Sequence, residues 1–329
     1  MGQSNHSLLF DKIVCAKGMP LSVETLQAPR VSKLKPIKRP DGYFIPGFIS
    51  GSVFVSIASI EETGFSDSRP ETVTLKATSE ALERLVFRKY FKKSGKPDTT
   101  NGWACHLELN SALENALCEL IERDVALTTW ENSGPFYEIP KSLWPSEILK
   151  WADSKPHSLE YPDLKIYLCA TENGCAISSL LFNERGNFVT GHASGLSLKN
   201  SILSATAECF RSAHAALRFE HFSEVSNLHN TNITSLSVPP GAHSLAYAYS
   251  VPMPSEVVLK QATPIFIETS WSQHQKIVLG TSLNEFEILT FKICDYYVVR
   301  LRSLNFKKLF WGKTSSREPL TNKNPHFVG

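Results

Sequence analysis

The sequence predicts an α+β fold. Three long stretches carry apolar residues at helical spacing, and between them lie short runs rich in Ile, Val, Tyr and Phe. These segments are interspersed without the regular alternation of a doubly wound sheet, so a parallel α/β architecture is not expected. The chain has 329 residues and 36.7 kDa, room for one large domain or two ordinary ones.

Residues 1–49 read as an irregular arm. Its basic, Pro-punctuated run VSKLKPIKRPDG places Lys33, Lys35, Lys38 and Arg39 on a solvated surface or against an acidic partner. From position 50 a single domain is expected to run to residue 329. SVFVSIASI alternates apolar with small or polar residues over 52–60 and reads as a strand. A first helix is expected over about 75–92, with Leu82, Leu85, Val86 and Tyr90 on one side. A second covers about 111–130, where Leu113, Ala116, Leu117, Leu120 and Ile121 recur at three- and four-residue spacing. The runs 165–171 and 175–182 follow as strands. A third helix spans about 199–219, with Ile202, Ala205, Phe210, Ala213 and Leu217 as its stripe. TPIFIET (263–269), KIVLG (276–280) and DYYVVRLR (295–302) read as closing strands. No tandem repeat of whole units is legible.

Composition narrows the function. Hydrophobic residues make 42% and charged residues 20% of the chain, which argues against a disordered, collagenous or coiled-coil protein. Lys plus Arg (34) nearly balances Asp plus Glu (32), so the net charge of +2 points to neither nucleic acid nor an anionic membrane as partner. The longest apolar stretch, Phe48 to Ile60, is broken by Ser and Gly and is too short to span a bilayer. MGQSNHSLLF lacks the flanks of a signal peptide, and His6 stands where myristoylation needs Ser or Thr. A cytoplasmic protein is expected. Seven cysteines, with no C-x-x-C pair, read as buried reduced thiols. The sequons at Asn5 and Asn232 are then accidental.

The chemistry concentrates in carboxylates. The first helix contains Glu80-Ala-Leu-Glu83-Arg84 and the second Glu119-Leu-Ile-Glu122-Arg123, both E-x-x-E-R. Three-residue spacing sets both acids of each pair on one helix face, where like charges repel unless something cationic lies between them. Oxygen donors without a His or Cys cluster suit a hard cation such as Mg²⁺, which commonly shares its shell with substrate phosphates. Arg84 and Arg123 suit phosphate oxygens, and the third helix adds Glu208 and Arg211. A solvated face with i,i+4 pairing accounts for each motif taken alone. No P-loop, G-x-G-x-x-G, H-E-x-x-H or G-x-S-x-G is present. His192 and His214 read as core or surface residues, and Trp130, Tyr137 and Trp144 as packing aromatics.

The block Asn101-Gly-Trp-Ala-Cys, then ALENALCELIERD over 112–124, then Thr129-Trp130-Glu131-Asn132, resembles the central ATP-site block of the YcaO family. ATSEALER (77–84) is similar to that family's first E-x-x-E-R helix. Ala193-Ser-Gly-Leu-Ser-Leu followed by Ala205-Thr-Ala-Glu208 is similar to its third. Tyr297-Val-Val-Arg300 and Asn324-Pro-His-Phe327 resemble its last strand and tail. The likeness covers roughly residues 50–329 and is most specific in the middle block.

The resemblance implies an α+β domain with mixed and antiparallel sheets that binds ATP and Mg²⁺ without a P-loop. It further implies Glu80, Glu83, Glu119 and Glu122 as Mg²⁺ ligands, and Arg84, Ser111, Arg123, Glu208 and Arg211 as nucleotide contacts. The implied activity is Mg-ATP-dependent phosphorylation of backbone amides in a ribosomally made precursor peptide, in the azoline-forming members by cyclodehydration. Thioamide formation and a catalytically degenerate scaffold or partner subunit are the alternatives; a carboxylate-metal hydrolase stands outside the resemblance. The implied partners are the precursor peptide and a separate leader-binding protein, and both a monomer and a homodimer accommodate these features. The chain departs from the family pattern at Lys76, where Ser is usual, at Arg211 for Gln, at Leu304 for Pro, and in a tail that is not Pro-rich.

Overall fold

The computed structural model describes residues 22–39, 42–94, 101–219, 253, 255, 257–303 and 306. The N-terminal decapeptide, both sequons, Leu304 and the 324–327 tail lie outside them. The chain divides into two compact units. The first comprises Met1–Ile37, Ile49–Leu120 and Gln275–Phe306, the second Lys38–Phe48, Ile121–His274 and Lys307–Gly329.

In the first unit, strands β2 (Arg30–Val31) and β3 (Lys35–Pro36) both pair antiparallel with β4 (Ile49–Ile57). β4 forms a hairpin with β5 (Ile60–Ser68), registered from Ile49↔Ser68 to Ile57↔Ile60. The long helix α1 (Pro70–Ser94) covers this hairpin. Pro70 suits the first helical position, where its missing N–H would have no intrahelical partner anyway. Val73, Ala77, Ala81, Leu82, Leu85 and Val86 are buried along α1, and all but Val73 join one core with Val53, Val55 and Ile57 of β4. A second sheet has the order β1–β12–β13–β6, from Val23–Thr25, Glu287–Ile293, Tyr296–Arg302 and Trp103–His106. Trp103 stacks on Phe291 within that core, at 6.0 Å between ring centroids.

The second unit is built on the sheet β10–β9–β8–β7–β11. Its strands are Phe188–Ala193, Gly174–Phe182, Asp163–Thr171, Phe136–Glu138 and Leu259–Gln261, antiparallel apart from the parallel β7–β11 pair. β9 is buried on both faces up to Leu181, as its near-continuous apolar sequence implies. Helix α4 (Leu198–Phe219) packs on β10 and β9, burying Ile202, Ala205, Cys209, Phe210 and Ala213. The short helix α3 (Ser146–Ser154) adds Ile148 and Trp151, whose indole N–H donates to the Gly42 carbonyl at 2.8 Å. Trp130 and Trp144 are buried, and Tyr137 packs on Phe266 with ring centroids 4.6 Å apart. All three pack, as their surroundings in the sequence suggest.

Helix α2 (Leu109–Glu131) runs through the 120/121 boundary, and α5 (Pro264–Gly280) through 274/275. The second corrects the sequence reading. The two runs read as strands, 263–269 and 276–280, belong to one helix. Thr263 opens it, accepting the Phe266 N–H on its hydroxyl at 3.2 Å, and Pro264 takes the first position. Ile267, Trp271, His274 and Val278 are its buried residues, at spacings of four, three and four. That period is helical, but polar residues through the middle split it into two apolar runs short enough to pass for strands.

Among the described residues no helix is long and apolar enough to cross a membrane. Cys105, Cys118, Cys169, Cys175 and Cys209 are buried free thiols, and Cys294 is exposed. Burial pushes the Cys169 and Cys175 thiols up to about 12, so neither is poised as a thiolate.

Candidate functional site

In each unit a helix lies unusually close to a strand, and a carboxylate grows from the point of contact. In the first, Gly64 of β5 sits under α1: a Cβ there would stand 2.0 Å from the Ala77 carbonyl oxygen and 2.4 Å from the Ala81 nitrogen. Only a glycine next to small helical residues permits this approach. The next residue, Phe65, donates its N–H to Glu80 Oε2 at 2.5 Å. In the second unit, Gly191 of β10 sits under α4: a Cβ there would stand 2.2 Å from both the Ala205 carbonyl oxygen and the Cys209 nitrogen. The next residue, His192, donates its N–H to Glu208 Oε2 at 3.0 Å. The carboxylate therefore holds the same place relative to its strand in both units.

The electrostatic settings differ. Glu80 Oε1 accepts from Arg84 Nη2 at 2.6 Å, and Arg84 Nη1 donates to the Thr63 carbonyl at 3.1 Å. This pair is partly exposed, with side chains 27% and 42% accessible. Burial pushes the Cys105 thiol up, and the charge of Glu83, one turn on from Glu80, adds to that push. Ser111 lies in the first turn of α2 and donates to Glu108 Oε2 at 3.2 Å. Glu119 lies on the first-unit part of α2, between the buried Cys118 and Leu120.

In the second unit the structure brings Glu122, Arg123 and Glu208 together. Glu122 and Arg123 are both largely buried, with Arg123 Nε 3.6 Å from Glu122 Oε1. Glu122 Oε2 accepts the backbone N–H of Ser194 at 3.2 Å. Burial, together with the charge of Glu208, pushes the Glu122 carboxyl up to about 7, against the opposing pull of Arg123 and the Ser194 N–H. Two carboxylates thus accept amides from alternate residues of one segment, His192 and Ser194. Their donor chemistry, oxygen only and rich in negative charge, fits a hard divalent cation. Among the described residues no cluster of three or more His, Cys, Asp or Glu encloses a metal by itself. The fit is thus to a cation that completes its shell with other oxygens, as Mg²⁺ does with nucleotide phosphates. Arg211 stands one turn beyond Glu208 on α4. Asp124 ties the same stretch of α2 to the β8–β9 turn, accepting from Asn173 Nδ2 at 2.8 Å.

Sequence reading missed the second layer. Ser194 Oγ donates to the Cys175 carbonyl at 2.9 Å and lies 3.3 Å from His274 Nε2. His274 is buried on α5, which the sequence reading did not see as a helix. His192 and His214 are core residues as expected, and the His192 ring lies 3.0 Å from Ser178 Oγ. One signal was available: Ala77-Thr-Ser-Glu-Ala-Leu82 and Ala205-Thr-Ala-Glu-Cys-Phe210 share the pattern A-T-small-E-small-apolar. The two alanines, the glutamates and the small residues after them are the very contacts made at Gly64 and Gly191.

Comparison with known proteins agrees with this architecture. Three solved structures each have a TM-score of 0.52 to this chain. A chain of the E. coli microcin synthetase McbBCD complex with pro-MccB17 bound is 14% identical, over 83% of this chain and 88% of its own. YcaO from Methanopyrus kandleri, bound with AMPPCP and Mg²⁺, is 13% identical over 83% and 85%. A heterocyclase in complex with substrate and cofactor is 13% identical over 82% of this chain and 49% of its own. These likenesses show the fold. No curated protein matches in sequence. A family model described as "YcaO cyclodehydratase, ATP-ad Mg2+-binding" matches residues 74–269, which take in all three acidic helices. With that stretch exceeding half of its length, the chain belongs to the YcaO family of ATP- and Mg²⁺-binding, cyclodehydratase-type enzymes.

Proposed function

We propose that this protein uses Mg-ATP to activate backbone amides of a ribosomally made precursor peptide, forming azolines by cyclodehydration. The observation that carries the reading is the meeting of Glu122 and Glu208, two carboxylates beside one largely buried arginine, Arg123, with desolvation pushing the Glu122 carboxyl up. Leaving such a pair uncompensated is expensive, and a divalent cation offsets it. Glu80, Glu83, Glu119 and Glu122 are assigned to Mg²⁺, and Arg84, Ser111, Arg123, Glu208 and Arg211 to the nucleotide. ATP, when bound with Mg²⁺, supplies the phosphoryl group that carries the amide oxygen away as phosphate. A Cys, Ser or Thr side chain of the peptide attacks the preceding amide carbon and closes the ring. The chain's own share of the work is positioning and charge: carboxylates hold the cation and guanidinium groups face the phosphates. A leader-binding partner delivers the peptide, and the chain acts in the cytoplasm. Residues 1–49 serve as an arm that lends strands β1–β3 to the sheets of the catalytic domain over 50–329.

Calorimetric titration with AMPPCP, with and without Mg²⁺, tests the site. Metal-dependent binding that is lost in Glu122→Gln and Glu208→Gln is the expected result. Turnover is read by mass spectrometry of the peptide as the loss of one water per ring, whereas thioamide formation exchanges oxygen for sulfur. A second reading, a scaffold subunit without turnover, draws on Lys76 and Arg211 at positions that usually carry Ser and Gln in the family. It predicts that product formed by the assembled complex survives Glu119→Gln and Glu122→Gln unharmed.

A further inference from the structure

β10 ends at Ala193, paired with Ile177, so the next residues have no ladder to hold them. Yet the Ser194 N–H must stay aimed at Glu122 Oε2. What fixes this stretch comes from α5. His274 Nδ1 accepts the Cys175 N–H at 3.2 Å, which assigns the imidazole proton to Nε2. His274 Nε2–H is directed at the Gly195 carbonyl at 3.2 Å and lies 3.3 Å from Ser194 Oγ. The Ser194 hydroxyl proton goes to the Cys175 carbonyl. No nucleophile–base pair is therefore formed: the ring has no acceptor facing Ser194, and the serine proton is committed elsewhere. The fit is tight as well, since a Cβ at Gly174 would stand 2.9 Å from His274 Nδ1 and 3.0 Å from Ile121 Cγ2. Burial holds the imidazole neutral, down to about 4, which suits a fixed donor–acceptor brace and not a charged ligand.

We propose that His274 is a positioning residue for Glu122, clamping Ser194 and Gly195 against β9 so that the Ser194 amide orients the carboxylate for a divalent cation. The inference rests on the Mg-ATP reading above. It also reaches past the segment matched by the family model, which ends at residue 269. Groups that orient metal ligands typically change metal affinity by about 10- to 100-fold when removed.

The test uses the full chain with Mn²⁺ and AMPPCP as probes, read by calorimetry and by the Mn²⁺ paramagnetic resonance line. His274→Leu removes both ring contacts and should weaken Mn²⁺ binding by about tenfold or more. His274→Gln keeps a donor near the Gly195 carbonyl and should restore affinity to within about threefold of the wild type, on the scale of that loss. Ser194→Ala, which leaves α5 untouched, should weaken binding in the same direction and keeps the inference testable if His274→Leu does not fold. AMPPCP binding without metal should not change. Wild-type binding matched by His274→Leu, or by Ser194→Ala, overturns the inference alone. Absence of metal-dependent binding in the wild type overturns the Mg-ATP reading and the inference with it.

Discussion

The β4–β5–α1 and β9–β10–α4 modules have the same frame and different electrostatic settings. In each, a glycine brings helix and strand into contact, the following residue's N–H reaches a helical glutamate, and alanines clear the space. On α1 the residues three and four beyond that glutamate are Glu83 and Arg84, and Arg84 neutralises Glu80 on the spot. On α4 the corresponding residues are Arg211 and Ser212, and Glu208 is faced by a second carboxylate, Glu122. A frame built by backbone packing thus leaves the electrical character of its carboxylate to a few side chains. Glu80 meets its counter-charge in a partly exposed setting, whereas Glu122 meets its own in a largely desolvated one beside a second carboxylate.

The largest expected effect tests the shared frame. Gly64→Ala and Gly191→Ala each drive a methyl group into helix backbone that cannot yield, and each should destabilise by about 3 kcal/mol or more. Urea unfolding measures both. Similar losses support the comparison, and a silent substitution in either module breaks it.

Charge should show next, in the metal-free protein. Glu122 sits at about 7 against an ordinary 4.5, so between those values the folded state holds the proton that the unfolded chain has lost. Stability therefore falls as pH rises through this window. His274 sits at about 4 against an ordinary 6.5, so its contribution is complete above 6.5 and is lost as pH falls towards 4. The two slopes oppose each other from about pH 4.5 to 6.5. Glu122→Gln should uncover a stability that rises with pH there, and His274→Gln one that falls. Thermal unfolding across that range distinguishes them, and parallel curves for the two variants would contradict the assignment.

Cation binding should then separate the modules. At pH 8, Mg²⁺ with AMPPCP should raise the melting temperature of the wild type by mass action, and Glu208→Gln should abolish most of that rise. The smallest effect belongs to the α1 module. Arg84→Ala breaks a half-exposed i,i+4 pair and should change stability by less than about 1 kcal/mol, with unfolding in high salt narrowing the difference further.

Much of the scaffold was legible because its signals are local. The three acidic helices were read to within a few residues, since each buries an apolar stripe at helical period, as Leu82, Leu85 and Val86 do on α1. The β8 and β9 strands were read from continuous apolar runs, which Cys169 and Ile177 occupy. α5 was not, because its buried set is interrupted by polar residues and includes a histidine. β10, FVTGHA, is short and carries Gly191, which weakens a strand signal while making the α4 contact possible.

The sequence by itself singled out the candidate residues: the glutamates of two E-x-x-E-R helices, Glu208 on a third, and the arginines beside them. It also determined the absence of the common nucleotide and hydrolase motifs and the family to which the acidic helices belong. Only the tertiary structure decided how each carboxylate is held. Glu80 and Glu122 each lie against an arginine and a backbone amide, but Glu80 is partly exposed, whereas Glu122 is largely buried and also meets a glutamate 86 positions away. Helical spacing fixes neighbours within one element, but burial and the charges met across elements set a carboxylate's energy. The shared A-T-small-E pattern marks where helix and strand close, but it does not say which charges and how much burial the glutamate then meets.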